Sequence, residues 1–482
     1  PFPGPRRVRF AAQGYAVYPC FYFPLSFVFR QVCVMNCWKP STLAPVMSAL
    51  LFCSACSRPA APTSAPAPGP SEAAAGSGTS PAVQPKAAPQ AGPAATAASA
   101  DVQAARARLD AIPRATYAPK TGDLLTEISI GDCSPVTAED VALFGRLADL
   151  KKLQLINFRA LNDELAGQLL GLSQLTSLSL TNSVITDAAV ERVIKSLPNL
   201  VELDLSSNTN MSSGVMKILG EQPRLQRLSL VQNKINDIGA QRLAKFPDLK
   251  SLDLRGKMEA GDMALEVLAG LSKLNSLKHR STAVTDAGLE SLSACPALDS
   301  LLIQDFAITD QSGPHLAKLP KLTQLEIFRC QGFGSQGVLA LKGTGLTRLT
   351  LRDLPNVYDQ CLEVFDELPK LKRLFLHELS SVGDAGLSHL ARLEALEQLD
   401  IWVVPQLTDA TIDVIAQLPN LKTLSIRSTG VTDACIDKLL ALKSVQSLTF
   451  KENGAVSDAA RDRLKTRQWG KLDLGGGPAS EE

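Results

Sequence analysis

Histidine and cysteine are the side chains of this 482-residue chain best suited to bind a metal ion or to act as nucleophiles. The four histidines form no His-Glu-x-x-His or similar pair, so the sequence predicts no metal site. Cys53 and Cys56 have the C-x-x-C spacing of a redox dithiol, but they follow an apolar run instead of lying between a strand and a helix. No cofactor is predicted. All four histidines and the five later cysteines are isolated in the sequence: His279, His315, His377, His389, Cys133, Cys295, Cys330, Cys361 and Cys435.

Composition excludes several function classes. The chain has 49 basic and 48 acidic side chains, so no overall positive field would attract nucleic acid, and no nucleic-acid partner is predicted. Hydrophobic residues make up 45% of the chain and aromatic residues 5%. Most of the chain is therefore expected to fold, and its core is expected to be aliphatic.

The first 55 residues read as two segments. Residues 1–34 are interpreted as a spurious upstream extension, with an anchor or signal segment as the alternative. Residues 35–55 have the layout of a signal peptide, in which Lys39 precedes an apolar run and Ser54 and Ala55 precede Cys56. This pattern resembles a bacterial lipoprotein signal, which implies lipidation at Cys56 and a membrane anchor, although Cys53 stands where leucine is usual. A cleaved secretory signal and a chance apolar stretch are the alternatives.

Residues 56–100 are predicted to form a disordered tether rich in proline and alanine. Apart from Cys56, this stretch is built from alanine, proline, serine, glycine, threonine and a few other small or polar residues, and it contains no aromatic residue. Such a composition cannot bury a core. Residues 101–124 are predicted to be an N-terminal cap, with a helix over Val102 to Leu109.

From residue 125 to 474 one unit recurs every 24 or 25 residues, and each unit opens with L-x-x-L-x-L. Alternation within this phrase places the leucines on the buried face of a short strand. A turn, a phrase such as Thr-Asp, a helix and the ending L-P-x-L follow. Clear openings begin at Leu175, Leu200, Leu225, Leu371 and Leu421.

The period and the phrase I-T-D-x-G-L resemble the leucine-rich repeat family, specifically its bacterial type, which is similar to the cysteine-containing subclass. The resemblance implies an α/β fold: a leucine-rich repeat solenoid, or horseshoe, of about 14 repeats. Its parallel β-sheet lines the concave face and its helices lie on the convex face, and residues 475–482 form a tail.

Two polar positions of the repeat are expected to be structural. The aspartate of the Thr-Asp phrase is predicted to be the N-cap of its own helix, and a calcium array along this row is considered and rejected. Side chains at the ninth position are predicted to bond to backbone in a ladder. His279 stands in a core slot, where we expect either a distorted strand or a buried partner. The ninth-position residues are Cys133, Ser183, Asn208, Asn233, Thr282, Cys330, Thr429 and Asn453.

The third, fifth and seventh positions of each strand are predicted to face the concave surface, where a binding site could form. Aromatic and basic residues concentrate there in the carboxy-terminal half, and these residue types dominate interface energies. Four arginines would suit an acidic protein partner through bidentate pairs. In the alternative, these arginines pair with neighbouring acids of the same sheet. The predicted partner-binding residues are Phe328, Arg348, Arg352, Arg373, Phe375, His377, Trp402 and Arg427.

The predicted function is therefore that of a non-enzymatic protein-interaction scaffold in the bacterial cell envelope, lipid-anchored or secreted, which binds a macromolecular partner. No nucleophile, base and orienting acid can be assembled from the concave residues. The alternatives are a structural spacer without a specific partner and an F-box-like ubiquitin-ligase substrate receptor lacking its F-box. The segment before the repeats is too short for an F-box, which leaves the receptor role unsupported.

Overall fold

The computed structural model describes residues 93–222 and 224–475, which all lie within one compact unit, Ala87–Glu482. The predicted upstream extension, the signal peptide, the lipidation site Cys56 and the tether up to residue 92 lie outside the described residues. So do most of the predicted tail and the side chains of residues 93–98, 257 and 258.

Sixteen strands of the described part form a single sheet, and each strand pairs with the next one along the chain. β1 is antiparallel to β2, and every later pair is parallel. The strands are β1 Ala115–Ala118, β2 Glu127–Ile130, β3 Lys152–Leu155, β4 Ser177–Leu180, β5 Glu202–Asp204, β6 Arg227–Ser229, β7 Ser251–Met258, β8 Ser276–Ser281, β9 Ser300–Gln304, β10 Gln324–Phe328, β11 Arg348–Arg352, β12 Arg373–His377, β13 Gln398–Val404, β14 Thr423–Thr429, β15 Ser447–Lys451 and β16 Lys471–Asp473.

Between consecutive parallel strands lies an α-helix or a 3-10 helix. The α-helices are α1 Pro93–Asp110, α2 Ala138–Gly145, α3 Asp163–Ala166, α4 Asp187–Ser196, α5 Val215–Leu219, α6 Asp237–Ala240, α7 Asp262–Ala269, α8 Asp286–Leu292, α9 Ser312–Ala317, α10 Ser335–Leu339, α11 Asp384–Leu387, α12 Asp409–Ile415, α13 Cys435–Leu440 and α14 Asp458–Arg463. The 3-10 helices are Gly167–Leu169, Gln241–Lys245, Asp359–Glu367, Ser388–Arg392 and Leu464–Thr466. None of the helices within the described ranges is both long and apolar enough to cross a membrane.

This arrangement confirms the predicted fold class, a leucine-rich repeat solenoid. In each unit the leucines of the opening phrase are buried, as for Leu371, Leu374 and Leu376, and they join the apolar residues of the helices in one continuous core. A single unit cannot bury its apolar side alone, so each unit depends on its neighbours.

The N-terminal cap begins earlier than the sequence predicts. α1 starts at Pro93, inside the segment assigned to the tether, because proline is tolerated in the first turn and the alanines that follow favour helix. Val102, Ala105 and Leu109 of α1 are buried, and β1 covers the outer edge of β2. This helix and this strand close the amino-terminal end of the core.

The prediction that the row of aspartates caps its own helices is wrong. At most of these positions the N-cap is the residue before the aspartate, as for Thr285 and Thr408, whose hydroxyls accept from the backbone of their own helix. The aspartate instead bonds to the next repeat along the chain. Asp262 accepts the backbone N–H of Thr285 at 2.7 Å and its hydroxyl at 2.7 Å, and Asp384 accepts the same two groups of Thr408.

The same contact recurs along the solenoid, and we call these aspartates the staple row. Staple-row carboxylates accept from the next repeat at Asp163, Asp187, Asp237, Asp262, Asp286, Asp310, Asp359, Asp384, Asp409 and Asp433. Asp458 takes the same position in α14, and within the described residues the 3-10 helix Leu464–Thr466 and β16 follow that helix. The row is therefore a set of bonds between repeats.

The staple row also explains the small residues found two places after those aspartates, from Asp187 onward, whose preceding repeat has a staple-row aspartate. A side chain at Gly288 would place its Cβ 2.4 Å from Oδ1 of Asp262 in the preceding repeat. Where this position carries a hydroxyl, the hydroxyl donates to the preceding aspartate, as Thr411 does to Asp384. The slot is thus limited to glycine, to other small residues, or to residues that add a bond.

Asparagine forms the expected ladder at the ninth position. The amide nitrogen of Asn208 donates to the backbone oxygens of Leu180 and Leu205, and its amide oxygen accepts from Ser183. Thr282 does not take part, contrary to the prediction. It is exposed, and Ser281 is buried in its place, because the ladder between β7 and β8 shifts register after Leu254.

Candidate functional site

Side chains that point away from the core form three rows across the sheet, set by the parallel register. We call these rows, over β10 to β14, the sheet-face patch. The first row is Gln324, Arg348, Arg373, Gln398 and Thr423; the second is Glu326, Thr350, Phe375, Asp400 and Ser425; the third is Phe328, Arg352, His377, Trp402 and Arg427. The eight predicted partner-binding residues thus lie on five consecutive strands.

The third row alternates aromatic rings and guanidinium groups. The guanidinium carbon of Arg352 lies 4.3 Å from the ring centroid of Phe328 and 5.3 Å from that of Trp402. Arg427 covers Trp402 from the next strand at 5.2 Å. Cation–π contacts of this kind hold the rings and the charged groups in fixed positions on a rigid sheet.

His377 is the centre of a second aromatic contact. Its ring meets the rings of Phe375 and Trp402 edge to face, with centroid distances of 6.1 and 5.8 Å. Nε2 of His377 lies 3.4 Å from Oδ2 of Asp400, close enough for an ion pair when the ring is protonated, but without hydrogen-bond geometry. We therefore describe this contact as electrostatic.

Two of the four predicted arginines already form ion pairs with acidic side chains of this protein. Arg352 donates to Glu378 at 2.9 Å, and Arg427 pairs with Asp400 at 3.2 Å. Burial would raise the pKa of Asp400, but the polar contacts of His377 and Ser425 and the charges of His377 and Arg427 outweigh it and lower that pKa. For these two arginines the structure therefore agrees with the alternative interpretation, in which each arginine pairs with a neighbouring acid.

Glu378 belongs to a set of residues that sequence reasoning missed. The residue after each of these strands has a left-handed backbone, with φ of 59° at Asp305, 52° at Arg329 and 55° at Glu378. This turn directs the eighth-position side chain back towards the third row, and Asp305 there pairs with Arg280 and Arg329. Charged residues at the eighth position of L-x-x-L-x-L-x-x are the signal that could have found them.

Arg348 and Arg373 differ from the other two arginines. They are direct register partners on β11 and β12, and within the described residues neither side chain forms a hydrogen bond or an ion pair. The guanidinium of Arg348 lies over the ring of Phe375, 4.8 Å from its centroid. Arg348 is half-buried and Arg373 is exposed.

Beside these arginines, the sheet face of β7 to β11 contains a shallow depression of about 250 Å³. Ser300 and Leu302 of β9 are among the residues that line it. Charged groups of both signs line it: Arg255, Lys278, Glu326 and Arg348.

The amino-terminal half of the sheet face carries smaller groups. Ser177, Ser179 and Thr181 are buried on β4 or directly after it, and Arg227 of β6 pairs with Glu202 of β5. The aromatic and basic groups are therefore concentrated at one end of the sheet face.

The described cysteines lie in the core beneath these surfaces. Cys133, Cys295, Cys330, Cys361 and Cys435 are free and buried. Burial raises the pKa of Cys330 to about 12 and that of Cys361 to about 11. Thiols in such surroundings are poor nucleophiles. The described cysteines therefore add no reactive group to the sheet-face patch, whose groups available for contact are aromatic rings and guanidinium groups.

A family model described as a leucine-rich repeat matches residues 223–244. A search of curated proteins found no match. Among solved structures, an internalin from Listeria monocytogenes has 20% sequence identity and a TM-score of 0.40, and the match covers 73% of this chain and 95% of the internalin.

Two further solved structures are similar. The yeast complex of Rad7 and Elc1 contains a chain with 18% identity and a TM-score of 0.49, and the match covers 79% of this chain and 89% of that one. The complex of TLR13 with ssRNA13 gives 19% identity and a TM-score of 0.44, with coverage of 68% and 53%.

Proposed function

We propose that this protein is a non-enzymatic recognition scaffold that binds a protein partner on the open face of its sheet, through the sheet-face patch. Solenoids of stacked repeats generally offer extended surfaces of this kind. The observation that carries the proposal is the third row, in which Phe328, Arg352, Trp402 and Arg427 form a continuous stack of rings and guanidinium groups.

The stack supports recognition because its groups are partly exposed and already ordered. Trp402 and Arg352 keep part of their surface in contact with solvent, yet each is held by neighbours on both sides. Ordered aromatic and arginine side chains lose little freedom on binding, which favours affinity. A spacer without a partner would have no use for such groups on five consecutive strands.

The proposal includes the place where recognition occurs. A lipoprotein-type signal at residues 35–55 would export the chain, and a lipid on Cys56 would anchor it in a bacterial cell envelope. Residues 57–92 would then serve as a tether that lets the repeats search near the membrane surface.

The test is a pull-down from cell-envelope extract with the immobilised full chain. We expect a specific protein to be retained by the wild type and lost by the double variant Phe375→Ala, Trp402→Ala, because both substitutions remove aromatic contact area from the patch. Circular dichroism verifies that the variant is folded.

Ile156→Ala provides a matched control, because Ile156 is an exposed apolar residue on the same sheet face near the amino-terminal end. This control should retain the partner. Equal retention of the partner by the wild type and the double variant would contradict the assignment of recognition to the patch. Failure to retain any protein would favour the spacer.

A further inference from the structure

The two arginines without a counter-charge occupy adjacent positions in the first row. Arg348 and Arg373 face each other across β11 and β12, where like charges directly opposite one another destabilise a sheet. Two acids of the neighbouring strands are engaged elsewhere: Glu378 with Arg352, and Asp400 with Arg427 and His377. The chain thus retains an unfavourable pair of charges at one end of the patch.

Neighbouring groups leave these two charges available. The Phe375 ring supports the guanidinium of Arg348, and Gln324 and Gln398 flank the pair in the first row. Glu326 lies on β10, in the second row, and no ion pair within the described residues joins it to Arg348. Two guanidinium groups on adjacent strands form a site for one planar anion, which each can contact through two N–H groups.

We infer that Arg348 and Arg373 bind a side-chain carboxylate from an acidic segment of the protein partner. This inference rests on the proposed function and narrows it, because Arg352 and Arg427 already have acidic partners. A protein carboxylate is favoured over a free anion because the site is open and lies beside the aromatic third row. There a macromolecule gains apolar contacts that a small ion cannot make.

The register fixes where those apolar contacts lie relative to the carboxylate. First-row and third-row residues of one strand are four positions apart, which corresponds to about 13 Å along the strand. A partner segment that is extended along the strands would therefore present its acidic residue about four positions from an apolar residue. The apolar side chain would pack on the exposed side of the third row, against Phe328 or Trp402, and the carboxylate would lie over Arg348 and Arg373.

The test uses fluorescein-labelled synthetic peptides in which one glutamate and one phenylalanine are separated by one to seven serines. Binding to the full chain is measured by fluorescence anisotropy. We expect the tightest binding with three intervening serines. Replacing the glutamate of that peptide with glutamine, or making Arg348→Gln, Arg373→Gln in the protein, should weaken binding by about tenfold or more, the typical effect of losing a charge-assisted pair.

Arg227→Gln is the matched control, because Arg227 is also a first-row arginine on the sheet face but is already paired with Glu202. It should leave the affinity unchanged. Arg348→Lys, Arg373→Lys should bind with intermediate affinity, since lysine keeps the charge but loses the bidentate geometry. Circular dichroism verifies folding of each variant.

Three results would overturn the inference: no binding of any peptide, equal binding of the glutamine peptide, or full retention of affinity by the glutamine double variant. A further arm adds inorganic phosphate. Displacement of the peptide by phosphate at concentrations at which acetate has no effect would show a phosphate site instead. Loss of a pull-down partner in Phe375→Ala, Trp402→Ala without any effect of the arginine variants would leave the proposed function standing and refute only this inference.

Discussion

His279 occupies a core position that Leu254 and Ile303 fill in the neighbouring strands. Its imidazole is fully buried and packs edge to face on Phe306, with ring centroids 5.3 Å apart. Nε2 lies 3.1 Å from the carbonyl oxygen of Ala260, and Nδ1 lies 3.4 Å from that of Leu254. The expectation of a distorted strand or a buried partner is met on both counts, because β7 has a register shift beside this residue.

The His279 ring makes stability depend on pH. Burial lowers its pKa from 6.5 to about 4, although the two carbonyl groups and the charges of Asp237 and Asp253 act in the opposite direction. In the unfolded chain the His279 ring therefore binds a proton below about pH 6.5, whereas in the folded chain it binds one only below about pH 4. Consequently, the free energy of unfolding falls as the pH falls through this window, by about 3 kcal/mol from this residue alone.

We expect His279→Leu to remove most of that pH dependence, since leucine has no group to protonate and fits a position where a neighbouring strand carries leucine. Urea unfolding at a series of pH values between 7 and 4 measures it. His389→Gln is the control, because it removes a partly exposed imidazole and leaves the buried His279 in place; the loss of stability that His279 causes on acidification should remain. Parallel profiles for wild type and His279→Leu would refute the burial argument.

At the scale of the helices and strands, the staple row determines how one repeat is joined to the next. Most of these carboxylates, such as Asp384, stand at the first residue of a helix, where the helix dipole favours a negative charge, and reach the backbone of the following repeat. At Asp384 burial would raise the pKa, but hydrogen bonds from Thr408 and Thr411 outweigh it and lower that pKa. The ionised form is therefore the one that joins the repeats.

Asp384→Ala should lower the free energy of unfolding by about 1–3 kcal/mol, because the donors of Thr408 and Thr411 lose their acceptor. Asp458→Ala is a matched control at the same position of α14, because within the described residues Asp458 accepts no hydrogen bond from a later repeat. It should cost less, about 0.3–1 kcal/mol, because it removes the helix-dipole interaction and an exposed ion pair with Arg461 but no bond between repeats. Urea unfolding at pH 7 measures both. Equal costs would mean that the contact between repeats contributes nothing.

On the scale of the whole molecule, the residues that stabilise the solenoid are different from those that we propose to bind a partner. The leucines, the staple row and the asparagine ladder repeat along the chain and hold it together, whereas the exposed rows of the sheet vary freely from strand to strand. This freedom lets aromatic and basic residues collect on β10 to β14 while β4 to β6 carry serines and ion pairs.

The anchoring proposed for the chain belongs to this scale as well. Cys56→Ala should abolish lipid attachment and shift the protein from the membrane fraction to the soluble fraction, since the cysteine thiol would be the acceptor of the lipid. Metabolic labelling with a radioactive fatty acid and membrane fractionation measure this. The matched control is Cys53→Ala, which should still be labelled. An unchanged distribution of Cys56→Ala would refute the anchor.

Sequence alone determined the repeat, because L-x-x-L-x-L at a period of 24 or 25 residues fixes which side chains are buried and hence the parallel sheet. It also placed the eight candidate residues on one face, since alternation along a strand is local. Only the tertiary structure decided what those residues touch. The backbone N–H that donates to a staple-row aspartate belongs to a residue 23 to 25 positions away, and Glu378 reaches Arg352 across 26 residues through a left-handed turn. Contacts between repeats depend on register and turn geometry, which no single repeat encodes.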